Sequence, residues 1–328
     1  MREPASMAVR AAVRDALADL PDGAAVLAGV SGGADSLALA AALAWVAERR
    51  PITAGAIIVD HQLQPTSAEV AADAADVCRA LALAPVEIVR VVVADPARLG
   101  PEAAAREARH TALGEAAARV GASAILLGHT RDDNAEQVLL GLARGSGLRS
   151  LTGIPPLRGL LRRPLLTITR AQTEASCAEL GLTPWRDPHN EDPTFARARA
   201  RRALADLEAD LGPGFADALA RTATQLRADA DLLDDLAAQA AAQLGDDPWP
   251  VDRLAAIPTA LRTRVWRRLL IAAGAPAGQV SARHTDACDR LVTHWRGQGP
   301  LDLPGVTVTR SAGRVRVQGN GSARHTVN

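Results

Sequence analysis

The first half of the chain alternates short apolar runs with longer helical stretches. Four runs are rich in aliphatic residues, short enough to be strands and bounded by Gly, Pro or polar residues. They span residues 25–30, 54–59, 86–93 and 124–128. Helices are predicted between and after them, over 36–49, 68–81, 102–120 and 132–144. Alternation of this kind is typical of an α/β fold with a doubly wound parallel sheet.

The second half changes to long amphipathic helices that are rich in Ala and Leu. After a shorter helix over 169–180, helices are predicted over 215–243, 259–273 and 281–295. The stretch "PGVTVTRSAGRVRV" alternates apolar and polar residues around a Gly turn, which predicts a β-hairpin near the end. We therefore expect two domains, the α/β domain over 1–205 and a mainly helical domain over 206–328 that ends in the hairpin.

The amino-acid composition excludes several kinds of catalysis and cofactor site. The 37 positive charges balance the 37 negative ones, and all the positive charges are arginine because the chain has no lysine. Catalysis through a protein lysine is therefore excluded, including a Schiff base or a lysyl-adenylate. The cysteines Cys78, Cys177 and Cys288 form no C-x-x-C pair, which argues against a cluster, a structural zinc or a disulfide scaffold. Without a signal pattern or an apolar run of membrane length, we expect a cytoplasmic protein with no membrane partner.

A Gly-rich turn, "GVSGGADS", separates the first strand from its helix. Such a turn aims backbone N–H groups and the positive end of the helix dipole at one spot, where a phosphate fits. Gly32 and Gly33 allow close approach, and Ser31 and Ser36 add hydroxyl donors. Asp35 would repel phosphate unless a cation lies between them, which indicates magnesium. The alternative is an ordinary strand-to-helix turn with a Ser or Asp cap.

Two further polar clusters follow predicted strands, "VDHQLQ" after the second and "LLGHTRDDNAEQ" at the fourth. In a parallel α/β sheet the carboxyl ends of the strands meet at one edge, where ligands bind. The three clusters should therefore converge on a single site.

These motifs resemble those of the PP-loop ATP pyrophosphatase superfamily, whose S-G-G-x-D-S turn binds the pyrophosphate part of ATP. Here the turn reads Ser31-Gly32-Gly33-Ala34-Asp35-Ser36. Within the superfamily, the order and spacing of several motifs resemble the tRNA(Ile)-lysidine synthetases over roughly residues 25 to 205. The motifs are "VDHQLQ", "AREARH", "GHTRDDNAEQVLLGLARGSGL", "RRPLL" and "WRDPHNEDPTFARARAR", and the tail resembles the family's "LPG" hairpin.

The resemblance implies a Rossmann-like PP-loop fold and a two-step ligase reaction. ATP would adenylate the wobble cytidine of a tRNA(Ile) with the anticodon CAU, releasing pyrophosphate. Free L-lysine would then displace AMP to form lysidine. The implied cofactors are ATP and Mg²⁺, the α/β domain would be the catalytic domain, and the helical domain would bind tRNA. A homodimer through the Ala- and Leu-rich helices stays open.

The resemblance assigns ATP to the turn over residues 31–36, with Asp35 as a catalytic residue and the Mg²⁺ ligand. His61 follows the second strand and would line the nucleotide pocket. From the residues alone, a loop histidine with an ordinary hydrogen bond explains His61 equally well.

Two acids at the start of the fourth helix are the candidates for the lysine site. Asp133 and Glu136 are three residues apart and so share a helix face, and His129 lies one turn earlier. By the resemblance, the acids are catalytic and bind the lysine ammonium, with His129 near the reacting groups. The alternative is that they only complement the helix dipole.

Arginines complete the predicted site. By the resemblance Arg109 is catalytic, and it shares a helix face with Arg106, although a solvated face is the alternative. The candidates for binding tRNA or phosphate are Asn190, Arg197, Arg199 and Arg201. Alternate arginines face one side of an extended segment, as a phosphate-binding strip requires, whereas a solvated basic run would have no such role.

Other functions would need other residues. A tRNA thiolation enzyme of the same superfamily usually needs paired cysteines, and an amidotransferase needs a glutaminase nucleophile, neither of which the sequence contains. A nucleotide-binding module without chemistry stays possible on the motifs alone, and lysine incorporation into tRNA would distinguish it.

Overall fold

The computed structural model describes residues 4–62, 64–91, 101–145, 147–188 and 192–320. Within the first 211 residues, the strands are β1 (Ala25–Val30), β2 (Thr53–Asp60), β3 (Val86–Arg90), β4 (Ala124–Leu127), β5 (Leu157–Arg158) and β6 (Leu161–Arg162). The helices are α1 (Ala5–Ala16), α2 (Ala34–Ala47), α3 (Ser67–Ala80), α4 (Pro101–Val120), α5 (Arg131–Ala143), α6 (Leu148–Leu151), α7 (Arg170–Glu179) and α8 (Ala196–Leu211), with a 3₁₀ turn over Pro164–Thr167.

The predicted parallel sheet is confirmed. Its strand order is β3-β2-β1-β4-β6-β5, and every pairing is parallel except that of the edge strand β5 with β6. Gly29 pairs with Ile57 of β2 on one side and with Leu127 of β4 on the other, so these three parallel strands end at the same edge of the sheet. The chain reverses its direction of strand addition between β1 and β4, which is the switch point where such sheets bind ligands.

Helix α2 lies in the core because its neighbours cover it. Ten of its residues are buried, among them Leu37, Leu39 and Leu43. Helices α1 and α7 both pack against α2. Helix α1 was not predicted, although Val9 and Val13 are spaced four residues apart and are fully buried. Its first two N–H groups, at Ala5 and Ser6, donate to the Glu179 carboxylate at 2.8 and 2.9 Å, which caps the helix.

The arginine-rich segment is helical, so the expectation of an extended strip is wrong. Residues Ala196–Leu211 form α8, which buries Ala200 and Leu204 and packs against α5. Ala and Arg are strong helix formers, and their alternation has a period of two only in sequence. On a helix, Arg197 and Arg201 share a face while Arg199 lies on the other side.

The remaining elements begin with α9 (Phe215–Leu244), β7 (Trp249–Pro250), α10 (Val251–Ala256), α11 (Thr259–Ala272) and α12 (Ala282–Thr293). They end with β8 (Leu301–Leu303), β9 (Val306–Ser311) and β10 (Arg314–Gly319). The hairpin β9–β10 is confirmed, and it belongs to a larger antiparallel sheet of order β7-β10-β9-β8. Its inner valines pack with Trp266, Leu254 and Leu270 in a separate core.

The chain divides into two compact units. The first comprises residues 1–146 and 150–224, and the second comprises 147–149 and 225–328. No helix in the described part of the chain combines the length and the apolar composition that crossing a membrane requires.

Gly128, at the end of β4, lets this strand approach the first turn of α2. A Cβ on Gly128 would lie 3.0 Å from both the carbonyl carbon and the carbonyl oxygen of Asp35, and 3.2 Å from the Ser36 nitrogen. These are backbone atoms, which cannot move as a flexible side chain can. The absence of a side chain at residue 128 therefore fixes the position of the Gly-rich turn relative to β4.

We expect Gly128→Ala to lower the free energy of unfolding by about 1–3 kcal/mol and to weaken the ATP binding that the sequence motifs predict at the Gly-rich turn, because the methyl group displaces the start of α2. Urea unfolding and ATP titration measure the two effects. Gly114→Ala is the matched control: residue 114 is exposed on α4, with nothing within 4 Å of the added Cβ. It should be stabilising by about 0.5–1 kcal/mol. An equal response of the two variants would contradict this account.

Candidate active site

The Gly-rich turn closes on the hydroxyl of Ser36. This buried hydroxyl donates to the Gly33 carbonyl oxygen at 2.9 Å and accepts from the Ser31 N–H at 3.1 Å. Gly32 has a φ of +84°, which favours glycine. In the part of the chain that the structure describes, no side chain caps the N-terminus of α2 at Gly33. The backbone N–H groups there are suited to an anion such as phosphate.

The segment after α7 passes directly over this turn. The Trp185 N–H donates to the Gly32 carbonyl oxygen at 3.0 Å. Two residues later, Asp187 accepts a hydrogen bond of 3.0 Å from the Gln64 side-chain amide, in the loop after β2. These two bonds join the turn, the loop after β2 and the segment at residues 185–187 into one structure.

Asp35 lies in the first turn of α2, and its side chain is 23% exposed. One carboxylate oxygen accepts a hydrogen bond from the Thr173 hydroxyl, and the other lies 3.7 Å from Nε of Arg170. Burial raises the pKa of Asp35 to about 6, although the Thr173 hydrogen bond and the Arg170 charge act to lower it. Repulsion from Asp133 and Asp132 adds to the increase. The ionised carboxylate therefore lacks full compensation in the protein alone.

At the start of α5, Asp133 has the role of a helix cap. Thr130 is the N-cap residue, and Oδ2 of Asp133 accepts from the Thr130 N–H at 2.7 Å and from its hydroxyl at 3.0 Å. This reciprocal arrangement is a capping box. The structure thus supports the helix-start interpretation for Asp133 and leaves Oδ1 for a further partner.

The partner of Oδ1 is Arg170, a residue that the sequence interpretation missed. Nη2 of Arg170 lies 3.0 Å from Asp133 Oδ1, and Nη1 lies 3.6 Å from Glu136 Oε1. The Arg170 backbone N–H also donates to Asp132 at 2.9 Å. Burial acts to lower the pKa of Arg170, but the charges of Asp133, Glu136 and Asp35 raise it above the usual arginine value. A single guanidinium thus connects the acids of α2 and α5.

Glu136 is almost fully buried, with its side chain 1% exposed. Its Oε1 accepts a hydrogen bond of 2.8 Å from Nε of Arg201, on α8. Its Oε2 is buried and accepts no hydrogen bond from the described residues. Of the two predicted acids, Glu136 is therefore the one with an acceptor still open, although its other oxygen is paired with arginine.

His61 and Arg109 approach each other from the loop after β2 and from α4. Burial lowers the pKa of His61, and the nearby Arg109 charge lowers it further. Both effects favour the neutral imidazole, and Nδ1 of His61 is buried with no hydrogen-bond partner among the described residues. His129 is half-buried between β4 and Thr130. The side chain of Arg106 and all of Asn190 lie outside the described residues.

The three candidate phosphate-binding arginines have different environments. Arg201 pairs with Glu136, as described above. Arg199 is exposed and donates to the carbonyl oxygens of Pro193 and Thr194 at 2.7 and 2.8 Å, just before α8 begins. Arg197 is half-buried one helical turn before Arg201. The structure therefore does not align these arginines as one strip.

Comparisons with known proteins identify the families that the two parts of the chain match. Residues 6–208 match the PP-loop domain family, and residues 250–316 match the TilS substrate binding domain family. Among solved structures, the fold is similar to that of a U34-tRNA thiolase, NcsA, from Methanococcus maripaludis, whose structure contains a [4Fe-4S] cluster. The TM-score is 0.57 with 20% identity, over 68% of this chain and 79% of that chain. Likeness at this identity concerns the fold alone.

Curated relatives are far more similar. The tRNA(Ile)-lysidine synthase of Thermobifida fusca is 53% identical over 91% of this chain and 92% of the relative. That of Leifsonia xyli is 54% identical over 90% of each chain, and that of Salinispora arenicola is 52% identical over 96% of each chain. Since about half of the residues agree along nearly the whole length, and the PP-loop match alone spans more than half of the chain, the chain belongs to the tRNA(Ile)-lysidine synthase family.

Proposed function

We propose that this protein adenylates the wobble cytidine of a tRNA(Ile) with the anticodon CAU and then couples free L-lysine to it. The reaction consumes ATP, releases pyrophosphate and AMP, and leaves lysidine in the anticodon. The observation that carries the proposal is the joining of an uncapped Gly-rich turn at α2 to a buried acid, Glu136, through Arg170. A phosphate site and a cation site thus lie side by side, as expected for a reaction in which ATP activates the cytidine and an amine then displaces AMP from it.

The Gly-rich turn is suited to the pyrophosphate part of ATP. Among the described residues no side chain caps the start of α2, and burial raises the pKa of Asp35 to about 6, which indicates a carboxylate whose charge the protein does not fully compensate. Across the described residues, no group of three or more His, Cys, Asp or Glu side chains could hold a metal. Mg²⁺ commonly binds one or two carboxylates and completes its shell with phosphates and water, so Asp35 fits this role. When bound, it would neutralise charge on the phosphates.

Glu136 is the residue best placed for the lysine amine. Its free Oε2 is buried, and an ammonium group would supply the missing hydrogen bond. Because the amine must lose a proton before it attacks the adenylated carbon, Glu136 would also accept that proton. Asp133, held by Thr130 and Arg170, would contribute charge to the same pocket.

The tRNA contacts belong to the arginines of α8 and to the second domain in this proposal. Arg197 and Arg199 would bind backbone phosphates, together with Asn190. We place the catalytic domain at residues 1–205 and the tRNA-binding domain at 206–328. The protein would act in the cytoplasm.

The cysteines support lysidine formation over thiolation. Burial raises the pKa of Cys78 and of Cys177 to about 11 and that of Cys288 to about 12. All three are free and buried, so they remain protonated at neutral pH. A sulfur-transferring enzyme needs a reactive thiolate.

The proposed function is tested by incubating the protein with radiolabelled lysine, ATP, Mg²⁺ and unmodified tRNA(Ile), and following adenylated tRNA and lysidine separately. We expect Glu136→Gln to adenylate tRNA almost normally but to form lysidine roughly 10²-fold more slowly, because one charged hydrogen bond and the proton acceptor are lost. Glu115→Gln, at an exposed position on α4, is the control and should behave as the wild type. Equal loss of both half-reactions in Glu136→Gln would remove the lysine assignment.

The substitution Asp35→Asn should raise the stability of the protein at neutral pH but abolish its activity. Between pH 3.8 and about 6 the folded protein binds a proton at Asp35 that the unfolded chain has released, so stability falls as the pH rises through this window. In magnesium-free buffer at pH 7.5, Asp35→Asn should therefore raise the free energy of unfolding by about 1–3 kcal/mol. The gain should vanish as the pH falls from about 6 towards 3.8, and the variant should not adenylate tRNA.

The control for this measurement is Asp76→Asn, an exposed position on α3 whose carboxylate lies 2.6 Å from Arg79. The free energy of unfolding of this control should change by less than about 0.5 kcal/mol, both at pH 7.5 and at the lower pH. A destabilised Asp35→Asn at pH 7.5 would show that the ionised carboxylate is fully compensated in the fold.

A further inference from the structure

The carboxylate oxygens of the acid cluster, which comprises Asp133 and Glu136, are nearly all occupied by the protein itself. Thr130 donates twice to Asp133 Oδ2, and Arg170 lies against Oδ1 at 3.0 Å. Glu136 Oε1 accepts from Arg201 at 2.8 Å and lies 3.6 Å from Arg170. Glu136 Oε2 is the one oxygen of the two side chains that accepts no hydrogen bond from the described residues.

A single open oxygen suits some cations better than others. An ammonium is a compact point charge, and one buried carboxylate oxygen can serve it. A guanidinium is a planar fork whose strong binding mode uses two parallel hydrogen bonds to two oxygens. In this cluster the fork position is already filled, because the two terminal nitrogens of Arg170 face Asp133 Oδ1 and Glu136 Oε1.

We propose that Arg170 determines the specificity of the amine site: by occupying the fork position it leaves room for the ammonium of lysine and excludes the guanidinium of free arginine. The proposal rests on the proposed function, in which Glu136 receives the lysine amine. Without Arg170, Asp133 Oδ1 and Glu136 Oε1 would face a vacancy of guanidinium shape, which free arginine could fill.

Arg170 also has the support that a specificity residue needs. It is the first residue of α7, whose N-cap Thr169 forms a capping box with Gln172. Its own N–H donates to Asp132, and its side chain is only 24% exposed. The hydroxyl of Thr173, one turn later, holds Asp35. The backbone of Arg170 is fixed by its hydrogen bond to Asp132, and its guanidinium is fixed by the surrounding acids. Such a fixed position is what discrimination between lysine and arginine requires.

The test measures L-arginine as a competitive inhibitor of the lysine step on pre-adenylated tRNA. The quantity compared is the ratio of the arginine inhibition constant to the lysine KM, which a general loss of stability or of kcat does not move. We expect this ratio to fall in Arg170→Ala by roughly 10-fold or more, since the vacated fork offers charged hydrogen bonds to arginine. Arg170→Lys should give an intermediate ratio, because an ammonium neutralises one carboxylate but fills the fork position only in part.

Arg119→Ala is the matched control, since Arg119 forms an exposed ion pair of 2.6 Å with Glu87 and should leave the ratio unchanged. If Arg170→Ala does not fold, Arg170→Gln replaces it, with the same expected direction. An unchanged ratio in every folded Arg170 variant would overturn the inference while the wild type still forms lysidine. Failure of the wild-type protein to incorporate lysine would instead overturn the proposed function.

Discussion

The candidate site depends on one guanidinium that holds like charges together. Asp35 lies in the first turn of α2, Asp133 and Glu136 lie in the first two turns of α5, and Arg170 begins α7, so three helix N-termini converge. Helix N-termini favour negative charge, but neighbouring carboxylates repel one another when they are partly buried. Arg170 lies within 3.0 to 3.7 Å of all three acids and supplies the opposite charge. The raised pKa of Asp35 shows where that compensation is incomplete.

The sheet explains why these helices meet. Strands β1, β2 and β4 end at the same edge of the sheet at the switch point, so the turn after β1 and the cap after β4 lie side by side. Gly128 allows β4 to touch the start of α2 through backbone atoms alone. Helix α7 then packs against α2 and brings Arg170 and Thr173 to the same edge. The positions of the charged side chains therefore follow from the order of the strands and from the absence of a side chain at Gly128.

The features that could be predicted from the sequence are those that a local pattern of residues determines. Apolar runs such as residues 25–30 are short and rich in aliphatic residues, which predicts buried strands. The Gly-rich turn matches a recognisable sequence motif. For residues 197–201 the prediction is wrong, because the alternation of Ala and Arg has the period of an extended segment although both residues favour helix. Arg170 could not be predicted, because its partners Asp35 and Glu136 are distant in sequence and only the fold brings them to it.

The claim that Arg170 couples the two sites is tested most directly by a double-mutant cycle with Arg170→Gln and Asp133→Asn. Native-state hydrogen exchange of the β1 and β4 amides would report the stability of the first unit in the wild type, both single variants and the double variant. The account predicts a coupling free energy of about 1–3 kcal/mol, because Arg170→Gln leaves the Asp133 carboxylate without the cation that lies 3.0 Å from its Oδ1, and this part of the cost is absent when residue 133 is neutral. Effects that add within about 0.5 kcal/mol would contradict it.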